Sequence, residues 1–365
     1  MNMKELELYI HIPFCVKKCN YCDFLSAPAG EQKQKEYVES LRERIRSHGA
    51  LGKACHVVSI FLGGGTPSIL KPEQTEAIFT AIYDGFQVDQ DAEITTEMNP
   101  GTVTEEKLLI YKELGINRLS IGLQSASNEE LRRLGRIHTR EEFLSAYRMA
   151  RKTGFENINI DLMSAIPGQT LESYERSLRF TAELEPEHIS AYSLIIEEGT
   201  PFYDRYGGGS HAEELPDEDT ERKMYVRTKE ILQNYGYHRY EISNYAKKGF
   251  ECRHNLGYWN RAEYLGIGTG AASFLNHRRW TEGEEPVILT RREEMEEFMF
   301  LGLRKREGIS CAGFRETFGE PIEVVYQGVI EKLTTQKLLT ERKGRLALTE
   351  RGIDVSNYVM SEFLF

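Results

Sequence analysis

The sequence predicts an α/β protein built around a parallel sheet, and one repeating pattern carries this prediction. Through the first two thirds of the chain, a short apolar strand, a loop and an amphipathic helix follow one another six times. Six such units in series favour right-handed crossovers, which make the strands parallel. A doubly wound open sheet and a complete or partial (β/α) barrel both fit. The first strand is not followed by Gly-x-Gly-x-x-Gly, which weakens a dinucleotide-binding version.

Each predicted strand is rich in Ile, Leu, Val or aromatic residues and is bounded by Gly, Pro, Asn or Ser, as strands usually are. The predicted strands are residues 6–12, 57–62, 92–98, 118–124, 157–163 and 188–196. The predicted helices are 34–46, 72–83, 104–113, 140–152 and 171–184. Pro72 at a first helical turn, and Gly115 and Gly154 after helix ends, are typical start and stop signals.

The pattern changes after residue 206. A Gly-rich and then acidic segment, 207–221, indicates a surface loop before a helix around 221–235. Residues 237–245 are strand-like, and residues 313–365 predict two or three short helices plus a hairpin that turns at Lys343–Gly344. This last pattern is winged-helix-like. We therefore divide the chain into a barrel core (1–236), a barrel extension and connector (237–305) and a C-terminal winged-helix-like module (306–365).

Composition narrows the class of function. The 365 residues include 57 acidic and 46 basic side chains, a net charge of −11, which argues against a broad basic surface for nucleic acid or anionic lipid. Because residues 313–365 hold seven basic and eight acidic residues, we interpret that module as a packing unit rather than a DNA-binding one. The charged N-terminus is unlike a secretory signal, and no run of about 18 apolar residues occurs. We expect a cytoplasmic protein.

Three of the six cysteines are clustered directly after the first strand, with spacing CxxxCxxC: Cys15, Cys19 and Cys22. Clustered thiols in such a protein are more often ligands or redox groups than disulfides. Three thiolates on one loop can hold three irons of a cubane cluster and leave the fourth iron open. A zinc site with His11 as fourth ligand and thiols without a ligand role are the alternatives. The remaining cysteines are interpreted as buried small hydrophobic residues, namely Cys55, Cys252 and Cys311.

Polar residues also collect at the predicted strand ends, where parallel α/β folds place their working groups. A glycine run, residues 63–67, ends the second strand, and Glu97, Gln124 and Asp161 lie at the next three. Acids and amides in such a place need partners, and nucleoside hydroxyl groups supply them. Arg136 could neutralise a ligand carboxylate. A tight turn, a helix cap at Asp161 and a solvated Arg136 are the alternatives.

The CxxxCxxC loop and these strand ends resemble the radical S-adenosylmethionine family. From Tyr9 through the C-terminal module, the chain is most similar to the coproporphyrinogen III dehydrogenase (HemN) group of that family. The resemblance implies a partial (β/α)6 barrel of the radical SAM type. It also implies a 4Fe–4S cluster on the three clustered cysteines, with S-adenosylmethionine on its open iron. By position, the implied cofactor-binding residues are Tyr9, Tyr21, Gly64, Gly65, Thr66, Glu97, Gln124, Arg136 and Asp161.

Two departures from the HemN pattern refine the expectation. Phe24 stands where HemN enzymes have a fourth cysteine, and only eight residues precede Tyr9 where those enzymes carry an N-terminal extension. Residues 254–259, HNLGYW, match the HNxxYW pattern of a haem-chaperone branch of the group. That match implies that His254 could ligate haem, with Tyr258 and Trp259 beside the macrocycle. A hydrogen-bonded core histidine is the alternative.

The resemblance therefore implies a haem chaperone that delivers haem, its cargo, to apo-haemoproteins such as respiratory enzymes. No catalytic residue is assigned. The rival expectation is an enzyme, an oxygen-independent coproporphyrinogen III oxidase of porphyrin biosynthesis, which converts two propionates to vinyl groups. The expected partners are apo-haemoproteins and an electron donor, with peripheral membrane contact left open and no nucleic acid. The acidic balance disfavours a tRNA-modifying member of the family.

Overall fold

The computed structural model describes residues 3–365. Its core is a run of parallel strands that neighbour one another in sequence order. These strands are β1 (Lys4–Ile12), β2 (Cys55–Gly64), β3 (Gln87–Met98), β4 (Arg118–Gln124), β5 (Ile158–Ser164) and β6 (His188–Ser193). The α/β class and the partial barrel expected from the sequence are confirmed.

Helices connect successive strands and cover the outside of the sheet. Several begin at a hydroxyl cap, such as Thr139, whose side chain accepts from the Glu142 N–H while Glu142 accepts from the Thr139 N–H. The helices are α1 (Glu31–Ser47), α2 (Gly49–Ala54), α3 (Pro72–Gly85), α4 (Glu105–Glu113), α5 (Asn128–Arg133), α6 (Arg140–Lys152), α7 (Leu171–Glu183), α8 (Pro201–Tyr206) and α9 (Glu218–Asn234).

Short strands extend the sheet at both edges. On the β6 side lie β7 (His238–Arg239) and β8 (Asn244–Ala246), so the predicted strand at 237–245 is in fact two strands. The β1 side carries β9 (Tyr264–Ile267), β10 (Ala272–Leu275), β11 (Arg278–Thr281) and β12 (Val287–Ile288). The HNLGYW segment forms helix α10 (Arg253–Trp259), which connects the two edges.

The C-terminal residues form a module with its own apolar core. A three-stranded antiparallel sheet contains the expected hairpin, with Lys343 and Gly344 at positive φ in its turn. Helix α11 (Arg291–Gly302), which our sequence-based division places in the connector, adds Met295 and Met299 to this core. The module itself contains β13 (Ile309–Ser310), α12 (Cys311–Phe318), α13 (Ile322–Thr335), β14 (Leu339–Arg342), β15 (Arg345–Leu348), α14 (Glu350–Asp354) and α15 (Ser356–Ser361). The winged-helix-like module is confirmed, with one helix more than expected because α14 and α15 separate at Val355.

Burial explains how the fold positions a site. All seven residues of β4 are buried, as in a parallel sheet covered on both faces, yet Arg118, Ser120 and Gln124 are polar. Cys55 and Cys252 are buried as expected, whereas Cys311 is only half-buried, because it begins α12 near the surface. Within residues 3–365, we find no helix that is both long enough and apolar enough to cross a membrane.

Candidate functional site

A cavity of about 380 Å³, which we call the main cavity, opens at the carboxyl ends of β1 to β6. Its walls come from three parts of the chain. They are the loop with Cys15, Cys19 and Cys22 after β1 (the cysteine loop), residues 63–67 at the end of β2 (the glycine turn), and the ends of the next strands. The structure brings most of the sequence-predicted site residues together here, namely Cys15, Cys19, Tyr21, Cys22, Gly64, Gly65, Thr66, Glu97, Gln124, Arg136 and Asp161.

The cysteine loop presents three half-buried free thiols to this cavity. Thr66 Oγ1 donates to Cys15 Sγ at 3.5 Å, and Arg136 Nη1 donates to Cys19 Sγ at 3.8 Å. Hydrogen-bond donors of this kind beside a metal-binding sulfur hold it in position. Arg136 therefore faces the loop and is not a solvated surface charge.

The structure does not bring together the four ligands of a tetrahedral zinc ion at this loop. Thiolates around tetrahedral zinc, with bonds of about 2.3 Å, lie roughly 3.8 Å from one another. Among the described residues, the three sulfurs do not all lie within 4.8 Å of each other. His11, the candidate fourth ligand, already uses both ring nitrogens: Nδ1 is 3.0 Å from the Tyr9 hydroxyl and Nε2 is 2.9 Å from the Leu25 carbonyl. The donor set suits a larger, sulfur-bound cluster.

The glycine turn packs directly on His11. Gly64 has φ +108°, and a Cβ there would lie 2.4 Å from His11 Cε1. A Cβ at Gly65 would lie 2.5 Å from the Phe14 carbonyl oxygen. Both positions therefore require glycine, which leaves bare backbone at the cavity wall. Tyr9 was expected to contact the cofactor, but the structure places it behind His11 and outside the lining, because its hydroxyl is bonded to the His11 ring.

Two acids face each other across the cavity. Glu97 accepts from the Gly64 N–H at 3.1 Å, and burial, with Asp161 nearby, raises the pKa of Glu97 to about 8. Asp161 accepts from Asn159 at 2.7 Å and from Ser120 at 3.4 Å, and burial raises its pKa as well. A carboxyl group that keeps its proton can both donate and accept, so the pair can bind neighbouring hydroxyls such as those of a ribose. Asp161 lies in the middle of β5 and is not a helix cap.

Gln124 reaches the cavity through a distorted strand end. The pairing of β4 with β5 shifts between Gly122 and Gln124, and Gln124 has φ 68°, a left-handed conformation that is uncommon for a residue with a side chain. Its Oε1 accepts from the Tyr192 hydroxyl at 3.0 Å. Such strain persists where the surrounding structure fixes it, often at functional sites.

Sequence reasoning missed the residues that line the lower part of the cavity, of which Arg118 is the most unusual. It begins an otherwise mostly apolar strand and is only 2% exposed. A charged residue at the start of a buried strand is a signal that the sequence already contained. The other missed lining residues include Asn159, Ser190, Tyr192, Asn244 and Asn255.

In the HNLGYW helix, His254 is buried and both of its ring nitrogens are engaged. His254 is 1% exposed, its Nδ1 is 2.8 Å from the Ser59 hydroxyl, and its Nε2 is 2.9 Å from the Tyr258 hydroxyl. Burial lowers the pKa of His254 to about 3, so its closeness to the Glu7 carboxyl, 3.8 Å, is not an ion pair at neutral pH. This is the arrangement of a hydrogen-bonded core histidine, the alternative stated for His254 above, and haem ligation by His254 stays a prediction.

Tyr258 and Trp259 lie elsewhere, on a second cavity of about 380 Å³ that Phe274 and Phe300 also line. The guanidinium groups of this second cavity are already neutralised. Arg261 and Arg279 lie 3.2 and 3.0 Å from the Glu297 carboxylate, and Arg261 also lies 3.7 Å from the Glu294 carboxylate. The structure therefore separates these two aromatic residues from the cluster loop and the strand ends.

Comparison with known proteins gives consistent matches. Residues 9–181 match the model of the radical SAM superfamily, and residues 289–355 match the HemN C-terminal domain. Heme chaperone HemW of Lactococcus lactis is 37% identical over 380 residues, covering 100% of this chain and 98% of that protein. Heme chaperone HemW of Bacillus subtilis is 36% identical over 375 residues, 98% of each. Coproporphyrinogen III oxidase (HemN) from Escherichia coli matches in fold, with TM-score 0.86 and 22% identity over 99% of this chain and 90% of that one.

Proposed function

The chain belongs to the radical SAM superfamily, in the group of the HemW proteins, and from this premise we propose that it is a haem chaperone. It would bind a 4Fe–4S cluster, S-adenosylmethionine and haem, and deliver the haem in the cytoplasm to apo-haemoproteins, respiratory enzymes among them. Similarity to curated haem chaperones along the whole length of both chains carries the proposal.

Cys15, Cys19 and Cys22 would hold three irons of the cluster and leave the fourth for the cofactor. When bound, the cluster would supply one-electron chemistry, with an electron donor as partner. Two side chains of the chain would orient the cluster sulfurs: Thr66 donates to Cys15 and Arg136 donates to Cys19. Both ring nitrogens of His11, the candidate fourth zinc ligand, are engaged with Tyr9 and Leu25, which supports this assignment over zinc.

The remaining main-cavity residues would hold S-adenosylmethionine. Glu97 and Asp161 suit the ribose hydroxyls, and the bare backbone of Gly64 and Gly65 suits a ligand that packs flat against the wall. Arg136 would face the methionyl carboxylate beside the cluster loop. Tyr21 lines the cavity between two cluster cysteines, where an adenine ring could stack.

Haem is the proposed cargo, and the structure has two candidate positions for it. Tyr258 and Trp259 offer ring faces on the second cavity, but the cations there are already paired with Glu297. The main cavity offers aromatic rings and a buried cation, Arg118, for which residues 3–365 provide no ion-pair partner. Whichever position holds haem, His254 would have a structural role, and another group would ligate the haem iron.

An anaerobic titration tests the proposal. Purified protein with a reconstituted cluster is titrated with haem, with and without S-adenosylmethionine, while the Soret band is followed. We expect saturable binding near one haem per chain. Absence of binding would contradict the proposal.

The same protein, reduced and given S-adenosylmethionine and coproporphyrinogen III, should form no protoporphyrinogen; formation of that product would identify an oxidase instead.

A further inference from the structure

Arg118 is a buried cation on the wall of the main cavity. It lines the main cavity, and its Nε is buried with no hydrogen-bond partner. Among residues 3–365 we find neither a side-chain hydrogen bond nor an ion pair within 4.0 Å that includes this guanidinium. Leaving a buried charge uncompensated costs several kcal/mol, so such groups are normally paired.

The acids around Arg118 are satisfied by other donors. The Glu93 carboxylate accepts from the backbone N–H groups of Arg253 and His254, each at 3.1 Å, and from the Cys252 thiol. Asp161 is bonded to Asn159 and Ser120, and Glu97 is bonded to the Gly64 N–H. These acids lower the electrostatic cost of burying the Arg118 guanidinium without contacting it. The N–H donors of the guanidinium therefore remain available to the cavity.

The amide of Asn159 is also fully used and cannot serve Arg118. Its Nδ2 donates to Ser120 and Asp161, and its Oδ1 lies 2.6 Å from His188 Nδ1 and accepts from Ser190. Half-buried Asn255, on α10, adds a further amide to the same lining. The donor-rich surface of Arg118 and Asn255 is called the lower subsite below.

The lower subsite lies deeper than the cluster loop. Arg136, the other guanidinium on the main cavity, is at the mouth, 3.8 Å from Cys19 Sγ. Arg118 begins β4 and Gln124 ends it at the mouth, so their backbones are about 20 Å apart at roughly 3.3 Å per residue. The side chain of Arg118 spans only part of that depth. Arg118 therefore enters the cavity from the start of β4, whereas Arg136 lies beside the cluster loop.

We propose that the lower subsite binds a carboxylate and receives a propionate of the porphyrin cargo. Guanidinium groups match carboxylates with two parallel hydrogen bonds, and a porphyrin propionate is a carboxylate on a short flexible arm. The depth of Arg118 favours this source over the methionyl carboxylate of S-adenosylmethionine, which belongs at the cluster. The assignment to the cargo rests on the proposed haem chaperone function.

Two pairs of ligands test whether the carboxylate at the lower subsite comes from haem or from S-adenosylmethionine. The full-length, cluster-loaded protein is titrated with haem and with haem dimethyl ester, and separately with S-adenosylmethionine and its decarboxylated form. We expect the wild type to bind haem at least tenfold more tightly than the ester, which is about 1.4 kcal/mol. In Arg118→Gln this preference should disappear, because ester binding stays near wild type while haem binding weakens. The preference within the second pair should not change. Arg148→Gln, at an exposed arginine on α6 outside both cavities, is the matched control and should keep the haem preference.

The outcomes separate this inference from the proposed function. If the wild type binds no haem, the proposed function fails. If Arg118→Gln binds haem but keeps the wild-type preference for haem over its ester, the lower subsite is refuted. A preference lost only within the S-adenosylmethionine pair would overturn the cargo assignment. If Arg118→Gln does not fold, Asn255→Asp tests the same point, since a negative charge in the subsite should weaken haem binding and spare the ester; an unchanged ratio would refute it.

Discussion

Substitution of Gly64 by alanine perturbs the contact between the glycine turn and the cysteine loop. At φ +108° the backbone of Gly64 is in a region that L-residues rarely adopt. The new Cβ would lie 2.4 Å from His11 Cε1, so the ring must move. His11 is held on both sides, by the Tyr9 hydroxyl and by the Leu25 carbonyl, and Leu25 follows the cysteine loop in the chain.

The expected cost follows from these contacts. The positive φ costs roughly 1–2 kcal/mol for a residue with a side chain. Moving the ring weakens two hydrogen bonds that are each worth about 1 kcal/mol. We therefore expect Gly64→Ala to lower the free energy of unfolding by about 2–4 kcal/mol. Because the Gly64 N–H also orients Glu97, affinity for S-adenosylmethionine should fall as well.

Urea unfolding and equilibrium binding of S-adenosylmethionine check this prediction. Gly101→Ala is the matched control, since a Cβ there meets nothing within 4 Å and its φ is not positive. The control should stay within about 0.5 kcal/mol of the wild type. A Gly64→Ala protein with the stability and cofactor affinity of the control would refute the account of the glycine turn.

The remaining predictions concern a buried acid and the cluster ligands. Glu7 is 3% exposed, and burial raises its pKa to about 8 from an ordinary 4.5. Between those values the folded state holds a proton that the unfolded state has lost. Stability should therefore fall by up to about 1.4 kcal/mol per pH unit as pH rises through that window, relative to Glu7→Gln; parallel urea-unfolding profiles of the two proteins would contradict this. Cys19→Ala should lose most of its iron and cluster absorbance after anaerobic reconstitution, whereas Cys311→Ala, outside the loop, should keep both; iron retained in Cys19→Ala would refute the ligand assignment.

Local patterns were sufficient to predict much of the fold. Apolar runs bounded by turn residues located the parallel strands, because strands buried on both faces have few polar interruptions. Helix α6 was predicted at its observed bounds with Gly154 as its stop signal, and the structure adds a capping box of Thr139 and Glu142 at its start. The edge strands were harder to predict, because two- and three-residue strands such as β7 and β8 carry almost no periodic signal.

The sequence also predicted that the site residues meet at the strand ends, because parallel α/β folds place their functional groups there. The hydrogen-bond partners and backbone conformations of these residues depend instead on long-range contacts. The partners of His254 are Tyr258, on its own helix, and Ser59, 195 positions away on β2. Only the tertiary structure shows that these partners leave no ring nitrogen free. The left-handed backbone of Gln124 arises from a shift in pairing with β5, which no local pattern encodes. The isolation of Arg118 likewise depends on which donors reach Glu93 and Asp161.

Transfer of haem to another protein tests the central claim most directly. The cluster-loaded protein, saturated with haem under anaerobic conditions, is mixed with an apo-haemoprotein, and the Soret band of each is followed after rapid separation. The account predicts that haem moves to the acceptor faster than free haem at the same concentration is taken up, and that the chaperone is recovered without haem. Haem that stays on the protein, or that reaches the acceptor no faster than free haem, would contradict the account.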